Sequence, residues 1–340
     1  MQPSINNLNL GLFEDLTGRN EADHSIPKPV SAHIPRRADQ LVEVTPEKTK
    51  QSLEKLKIRA EEAAKRSEFQ IEQRILQSVL PLWDDARRGI PNPFIRSGLF
   101  TVGSSDKRDF LKDSTISSLS TYNITYTGSE LQQDDLSVWM SLINLARERP
   151  VSDAIFFTGY QIVKDCGWSM NSISYRRVQD SIERLKVTGL KISSKNHEAA
   201  YSGSLIRDYC WAEKDEKGID KWMIRFEPRI SMLFFEDSTT LLEWEERKII
   251  GSRAKLALWL HSFYSSHREP IPNSIQKIHE LCRSRDSISS FRRNLRNALA
   301  TLVEKQIFLS FDISNDMLVV RKNPARLIVN NTKIKKLKKI

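Results

Sequence analysis

Two short stretches carry the residue types that grip or read a polyanion. Between residues 172 and 187 lie Ser174, Arg176, Arg177 and Arg184; between 288 and 305 lie Ser289, Ser290, Arg292, Arg293, Arg296 and Asn297. A guanidinium can fork onto guanine O6 and N7, an Asn amide can pair with adenine, and a Ser hydroxyl can hold a phosphate. At 100° per residue, Tyr175, Val178, Ile182 and Leu185 share one stripe, with Arg176, Arg177, Asp180 and Arg184 opposite. In the second stretch Phe291, Leu295, Ala298, Leu299 and Leu302 make the stripe. Ser289, Ser290, Arg293, Arg296 and Asn297 point away from it, and Arg292 lies at its edge. Each stretch is therefore expected to bury one helical face and offer the other to a major groove. A merely solvated outer face has the same pattern. Two such helices in like contexts favour the groove.

Other residue groupings support no chemistry. His261 and His267 are six apart, off a shared helical face, and no Cys or acidic pair completes a zinc site. There is no G-x-x-x-x-G-K-[ST], so the phosphate cradle of an ATP motor is missing. No His-hydrophobe-His pair lies near a candidate Tyr, as a metal-assisted nickase would need. Asp84-Asp85 and Asp134-Asp135 sit at apparent helix starts, where capping accounts for them. We expect no enzyme, no cofactor and no metal.

The elements that position the two stretches repeat an order. A helix from Asp134 to Arg149, a strand Ile155–Thr158 and a helix Tyr160–Cys166 precede the first. Strand-like runs Leu190–Ser193, Ser202–Ala212 and Lys221–Pro228 follow it, with a polar turn at Glu213–Gly218. A helix over 253–265 and another over Ser274–Cys282 precede the second, and strands Ile307–Ile313 and Met317–Arg321 follow, joined at Asn315-Asp316. Helix, strand, helix, helix, β-ribbon is the order of a winged helix. The expected fold is α+β: two tandem winged-helix domains, 81–240 and 241–322. Before them, residues 1–46 read as a disordered arm and 47–80 as a charged helical linker opened by Thr45-Pro46. Residues 323–340 read as a basic tail.

Net charge of the 340 residues is +10, but eight basic residues and no acid lie between Arg321 and Ile340. A second excess, eleven Lys/Arg against three acids, lies at 247–296. Such concentration fits a polyanion partner. The tail could track phosphates, skim a membrane surface or merely solubilise; phosphate contact is preferred. No apolar run approaches the ~20 residues of a bilayer span, and the start lacks a signal-peptide pattern. Three scattered cysteines, Cys166, Cys210 and Cys282, suit a reducing cytoplasm.

Four segments resemble the TrfA-type plasmid replication initiators: Pro91-Asn92 with Arg96-Ser97-Gly98-Leu99-Phe100-Thr101; Ile124 to Leu131; Gly167-Trp168-Ser169-Met170-Asn171; and Tyr264 to Pro270. The resemblance implies tandem winged helices binding repeated sites (iterons) at a plasmid origin and opening an AT-rich segment. It also implies recruitment of host helicase and sliding clamp, and a homodimer in balance with a DNA-binding monomer that sets copy number. The alternative is a winged-helix transcriptional repressor at a plasmid promoter. The family's clamp motif, Gln-Leu-Ser-Leu-Phe, would precede Trp83, where this chain has Arg74 to Val79. Asn9-Leu10-Gly11-Leu12-Phe13 is either a displaced clamp-binding peptide, with Asn9, Leu10, Leu12 and Phe13 as contacts, or a chance cluster.

Overall fold

In the computed structural model, residues 46–103, 107–119, 122–194, 200–212, 221–234 and 238–323 are described. The arm with Asn9, Leu10, Leu12 and Phe13, the Glu213–Gly218 turn and the tail from Pro324 lie outside them. The chain divides into two units between Ala60 and Glu61. Helix α1 (Pro46–Leu76) opens with the proline at its first position. Its charged composition leaves nearly every described side chain exposed.

Beyond Leu80 the chain becomes apolar and packs. Strand β1 (Arg87–Pro91), helix α2 (Asn92–Ile95) and strands β2 (Phe100–Thr101), β3 (Phe110–Ile116), β4 (Tyr122–Ser129) and β5 (Leu131–Gln132) lead to helix α3 (Gln133–Ala146). The helix expected over Asp134–Arg149 forms over Gln133–Ala146, and every residue of it except Leu145 is buried. This helix is a central post, not a surface amphipath. Trp139 meets Phe94 edge-on at 5.0 Å and stacks with Phe234 at 6.1 Å. Burial of each such ring is worth roughly 1.5–3 kcal/mol.

Around that post stand β6 (Ile155–Phe157), α4 (Gly159–Asp165), α5 (Ser172–Lys186), β7 (Gly189–Ser194), β8 (Ala200–Gly203), β9 (Asp208–Ala212) and β10 (Lys221–Arg225). The last strand is central in a three-stranded sheet, β6-β10-β9. The ribbon expected over 190–228 is divided. β7 and β8 join β4 in a different sheet, β3-β4-β7-β8, and only β9 and β10 reach β6. Leu205 and Ile206, adjacent and both buried, break the alternation that made 202–212 look like one strand.

Strand β11 (Thr239–Glu243) returns antiparallel to β1. Helix α6 (Trp244–Ile250), absent from the sequence expectation, leads to α7 (Lys255–Ser265), β12 (Asn273–Ser274), α8 (Ile275–Cys282), α9 (Ile288–Glu304), β13 (Phe308–Ser314) and β14 (Met317–Lys322). Their sheet order is β12-β14-β13. This repeats the plan of α3, β6, α4, α5, β9 and β10: the strand after the first helix pairs with the last strand. The β13–β14 turn is made by Asn315 and Asp316, with φ of 49° and 62°, a conformation Asn and Asp tolerate and hairpins favour. Two apolar cores result, one from Leu80 to Trp244 and one from Ile250 to Val320. Among the described residues no helix is long and apolar enough to cross a membrane.

Candidate nucleic-acid interface

Helix α9 follows the sequence pattern closely. Ser287 caps it, its Oγ accepting from the Ser290 amide at 3.4 Å. Phe291, Leu295, Leu299 and Leu302 are buried. Ser289, Arg293, Arg296 and Asn297 are exposed, and Ser290 is half-buried. Arg293 and Arg296 have no ion-pair partner among the described residues. Arg292, expected at the edge, donates to Asp316 Oδ1 at 2.6 Å in the hairpin turn.

Helix α5 is different. Asn171 Oδ1 caps it by accepting from the Ser174 amide at 2.9 Å, and Ser174 itself is buried rather than offered to phosphate. Arg176 is exposed and unpaired among the described residues. The expectation that Arg177 and Arg184 stand free beside it needs correcting. Arg177 lies 3.9 Å over the Trp168 ring and its Nε donates to Asp134 Oδ2 at 2.8 Å. Arg184 donates through two nitrogens to Asp135 Oδ1 at 3.0 and 2.9 Å. Asp135 Oδ2 accepts from Arg108 at 2.6 Å and from the Gln132 amide at 2.8 Å.

The cause lies in α3. A helix buried on all sides buries its acidic first turn too, and Asp134 and Asp135 are 2% and 0% exposed. Carboxylates so placed stay charged only with cations against them. Burial works to raise the Asp134 carboxyl, but the charges of Lys255 and Arg177 outweigh it and hold it below the ordinary carboxylate value. Lys255 Nζ sits 2.9 Å from Asp134 Oδ2; burial lowers that amine, with Asp134 opposing. Capping alone does not describe the acidic pair.

These groups line an open cleft of about 630 Å³. Arg108, Arg176, Arg177, Arg184, Arg253 and Lys255 face it, against Asp134 and Asp180. The cleft gathers all the α5 candidates; the α9 candidates form a separate exposed strip. Arg108, Trp168, Arg253 and Lys255 escaped the sequence reading of site residues. Arg253 and Lys255 fall in the 247–296 charge excess, which was the available signal. Not all of that excess is surface: Arg247 and His261 are buried, the latter with Nε2 2.9 Å from Glu246 Oε2.

A basic cleft and, apart from it, a helix with exposed arginines both suit a nucleic acid. The family described as TrfA protein matches residues 48–322. The chain belongs to the TrfA family. The plasmid replication initiator protein TrfA of Escherichia coli is 30% identical over 205 residues, 59% of this chain and 53% of that protein. The chain thus spans about half the length of this relative. Among solved structures, domains 2 and 3 of RctB align at TM-score 0.47 and 14% identity, over 69% of this chain and 99% of that one. A second RctB structure of domains 2–3 aligns at 0.40 and 16%, over 62% and 81%.

Three of the four segments that resemble the family contact side chains of the other apolar core's elements, and the remaining one carries an arginine of α5. A Cβ on Gly98 would stand 2.6 Å from the Arg283 side chain. Glu130, beside β4, accepts from Arg285 at 2.9 Å. Trp168 carries Arg177, and Ser266 accepts from Arg96 Nε at 3.0 Å.

Proposed function

We propose that the chain initiates plasmid replication by binding duplex DNA at repeated origin sites, as a binding protein and not an enzyme. Two winged-helix modules, 81–240 and 241–322, do the binding. Helix α9 enters a major groove with Arg293, Arg296 and Asn297 toward base edges and Ser289 and Ser290 toward the backbone. The α5 cleft follows phosphates with Arg176 and Arg253, and Arg177, Arg184 and Ser174 serve as its frame. The observation that carries this reading is the pair of exposed guanidiniums, Arg293 and Arg296, without ion-pair partners among the described residues, on a helix that buries Phe291, Leu295, Leu299 and Leu302 on its other face. The 30% identity to a plasmid replication initiator supplies the biological setting.

Origin opening then draws on several protomers bound along repeats and on bending of an AT-rich segment. Host helicase and sliding clamp join afterwards. A homodimer holds the protein away from DNA. Two modules in successive grooves would cover roughly 20 bp. The test asks whether the gene maintains an origin-bearing plasmid in a host that otherwise loses it. Maintenance that vanishes on Arg293→Ala with Arg296→Ala, at unchanged protein level, is expected. Maintenance unaffected by that double change would remove α9 from the mechanism.

A further inference from the structure

Arg247 is a buried cation with no carboxylate within ion-pair distance among the described residues. It sits in α6, between the two helix triplets, and is 4% exposed. Burial brings its guanidinium down to about 10. Neutral acceptors hold it. On α3 it donates to Ser137 Oγ at 3.0 Å, to the Gln133 carbonyl at 3.0 Å and to Gln133 Oε1 at 3.1 Å. On α7 it donates to Ser262 Oγ at 3.1 Å. One planar fork thus ties the first helix of one triplet to the first helix of the other. Apolar residues would fill such a place at less cost, so the geometry of the fork is the reason to look for a role beyond stability.

Other ties lie on either side of it. At the start of α7, Lys255 reaches Asp134 of α3 at 2.9 Å. At its end, Ser266 accepts from Arg96 Nε at 3.0 Å. In the α8–α9 turn, Arg285 meets Asp109 at 2.8 Å and Glu130 at 2.9 Å, and the Val102 amide donates to the Cys282 carbonyl at 3.2 Å. Links along α7 and at the turn feeding α9 thus flank the Arg247 fork, which is the tie that joins α3 and α7 through four hydrogen bonds. Modules joined in one chain ordinarily move against each other; here the Arg247 fork and its neighbours span the contact between them.

We propose that Arg247 is a positioning residue that locks α5 and α9 in one relative orientation, so that the protein accepts a single spacing and helical phase between the two DNA segments they contact. The inference rests on the DNA-binding reading above and adds to it a specificity device away from the DNA surface. Inserting one base pair between those segments rotates one against the other by about 35° and shifts it by about 3.4 Å. A rigid reader cannot follow both changes. A hinged one can.

The experiment uses the full chain and duplexes it selects from a random-sequence pool, re-synthesised with one base pair removed, one or two added, or a full turn added between the two protected segments. Affinity is read by fluorescence anisotropy at fixed salt. For the parent protein, a change of one base pair should cost about tenfold or more in Kd. Arg247→Gln should flatten that profile to within about threefold while still binding the original spacing. Arg247→Lys, which keeps the charge without the fork, should not restore it. Glu130→Gln, at the α8–α9 tie, should flatten the profile partly, and it serves if Arg247→Gln fails to fold. A flat parent profile overturns the inference, as does an Arg247→Gln or Glu130→Gln protein weakened equally at every spacing. Failure to enrich any duplex is a different result: it removes the DNA-binding reading itself.

Discussion

Helices α5 and α9 hold the same place in two triplets of the same plan, and both carry arginines opposite an apolar stripe. Yet Arg177 and Arg184 of α5 close on carboxylates, whereas Arg293 and Arg296 of α9 remain open. The difference originates one helix earlier. α3 begins Gln133-Asp134-Asp135, while α7 begins Lys255-Leu256-Ala257. A buried acidic start recruits the arginines of the neighbouring helix; a basic start recruits none and itself becomes a cation for Asp134. Whether an outward arginine is available to a ligand is thus decided by what its neighbour needs neutralised, not by its helical face.

The largest expected effect comes from removing the hub. Asp134→Ala strands Arg177 and Lys255 and should lower unfolding stability by about 3 kcal/mol, the lower end for breaking a buried pair because Arg177 keeps some water. Chemical denaturation measures it. Asp134 is held below the ordinary carboxylate value, so its contribution is complete above the unfolded value of about 3.9 and fades as pH falls through the lower folded one. The gap between parent and variant should therefore be full at neutral pH and close in acid, below about pH 4. A gap independent of pH would mean that charge is not what Asp134 supplies.

Next in size, Arg293→Ala and Arg296→Ala should each weaken DNA binding by about 1–3 kcal/mol if they read bases, with preference relaxed at one position. Unfolding free energies should change by less than about 0.5 kcal/mol. Arg184→Ala should invert this, losing stability first and affinity evenly across sequences. Identical behaviour of the two helices would erase the contrast between them. The smallest effect is that of Arg292. A double-mutant cycle with Asp316 should return about 0.2–1 kcal/mol of coupling, typical of an exposed pair. A larger value would make the hairpin turn part of α9's support.

Much of this was legible in one dimension. Periodicity placed α9 and its stripe of Phe291, Leu295, Leu299 and Leu302 because a helix with one wet face writes its orientation into the residue order. The Asn315-Asp316 turn was legible for a similarly local reason. Helix α3 was legible as a helix but not as a fully buried one: when all sides are buried, no periodicity distinguishes them, and Asp134-Asp135 reads as ordinary capping. The division of the ribbon at Leu205 and Ile206 was not legible, since strand pairing between distant segments leaves no local mark. The family resemblance was readable from four short segments, but not the contacts that Gly98, Glu130, Trp168 and Ser266 make with side chains elsewhere in the chain.

The residue order by itself determined α5, α8 and α9, the apolar stripes of α5 and α9, and where positive charge would collect, since each follows from local spacing. Tertiary structure alone decided which of those charges stayed free. Ion pairing depends on distances between side chains remote in the chain, such as Arg184 with Asp135 and Arg247 with Ser137, and the order of residues does not encode such distances until the chain has folded.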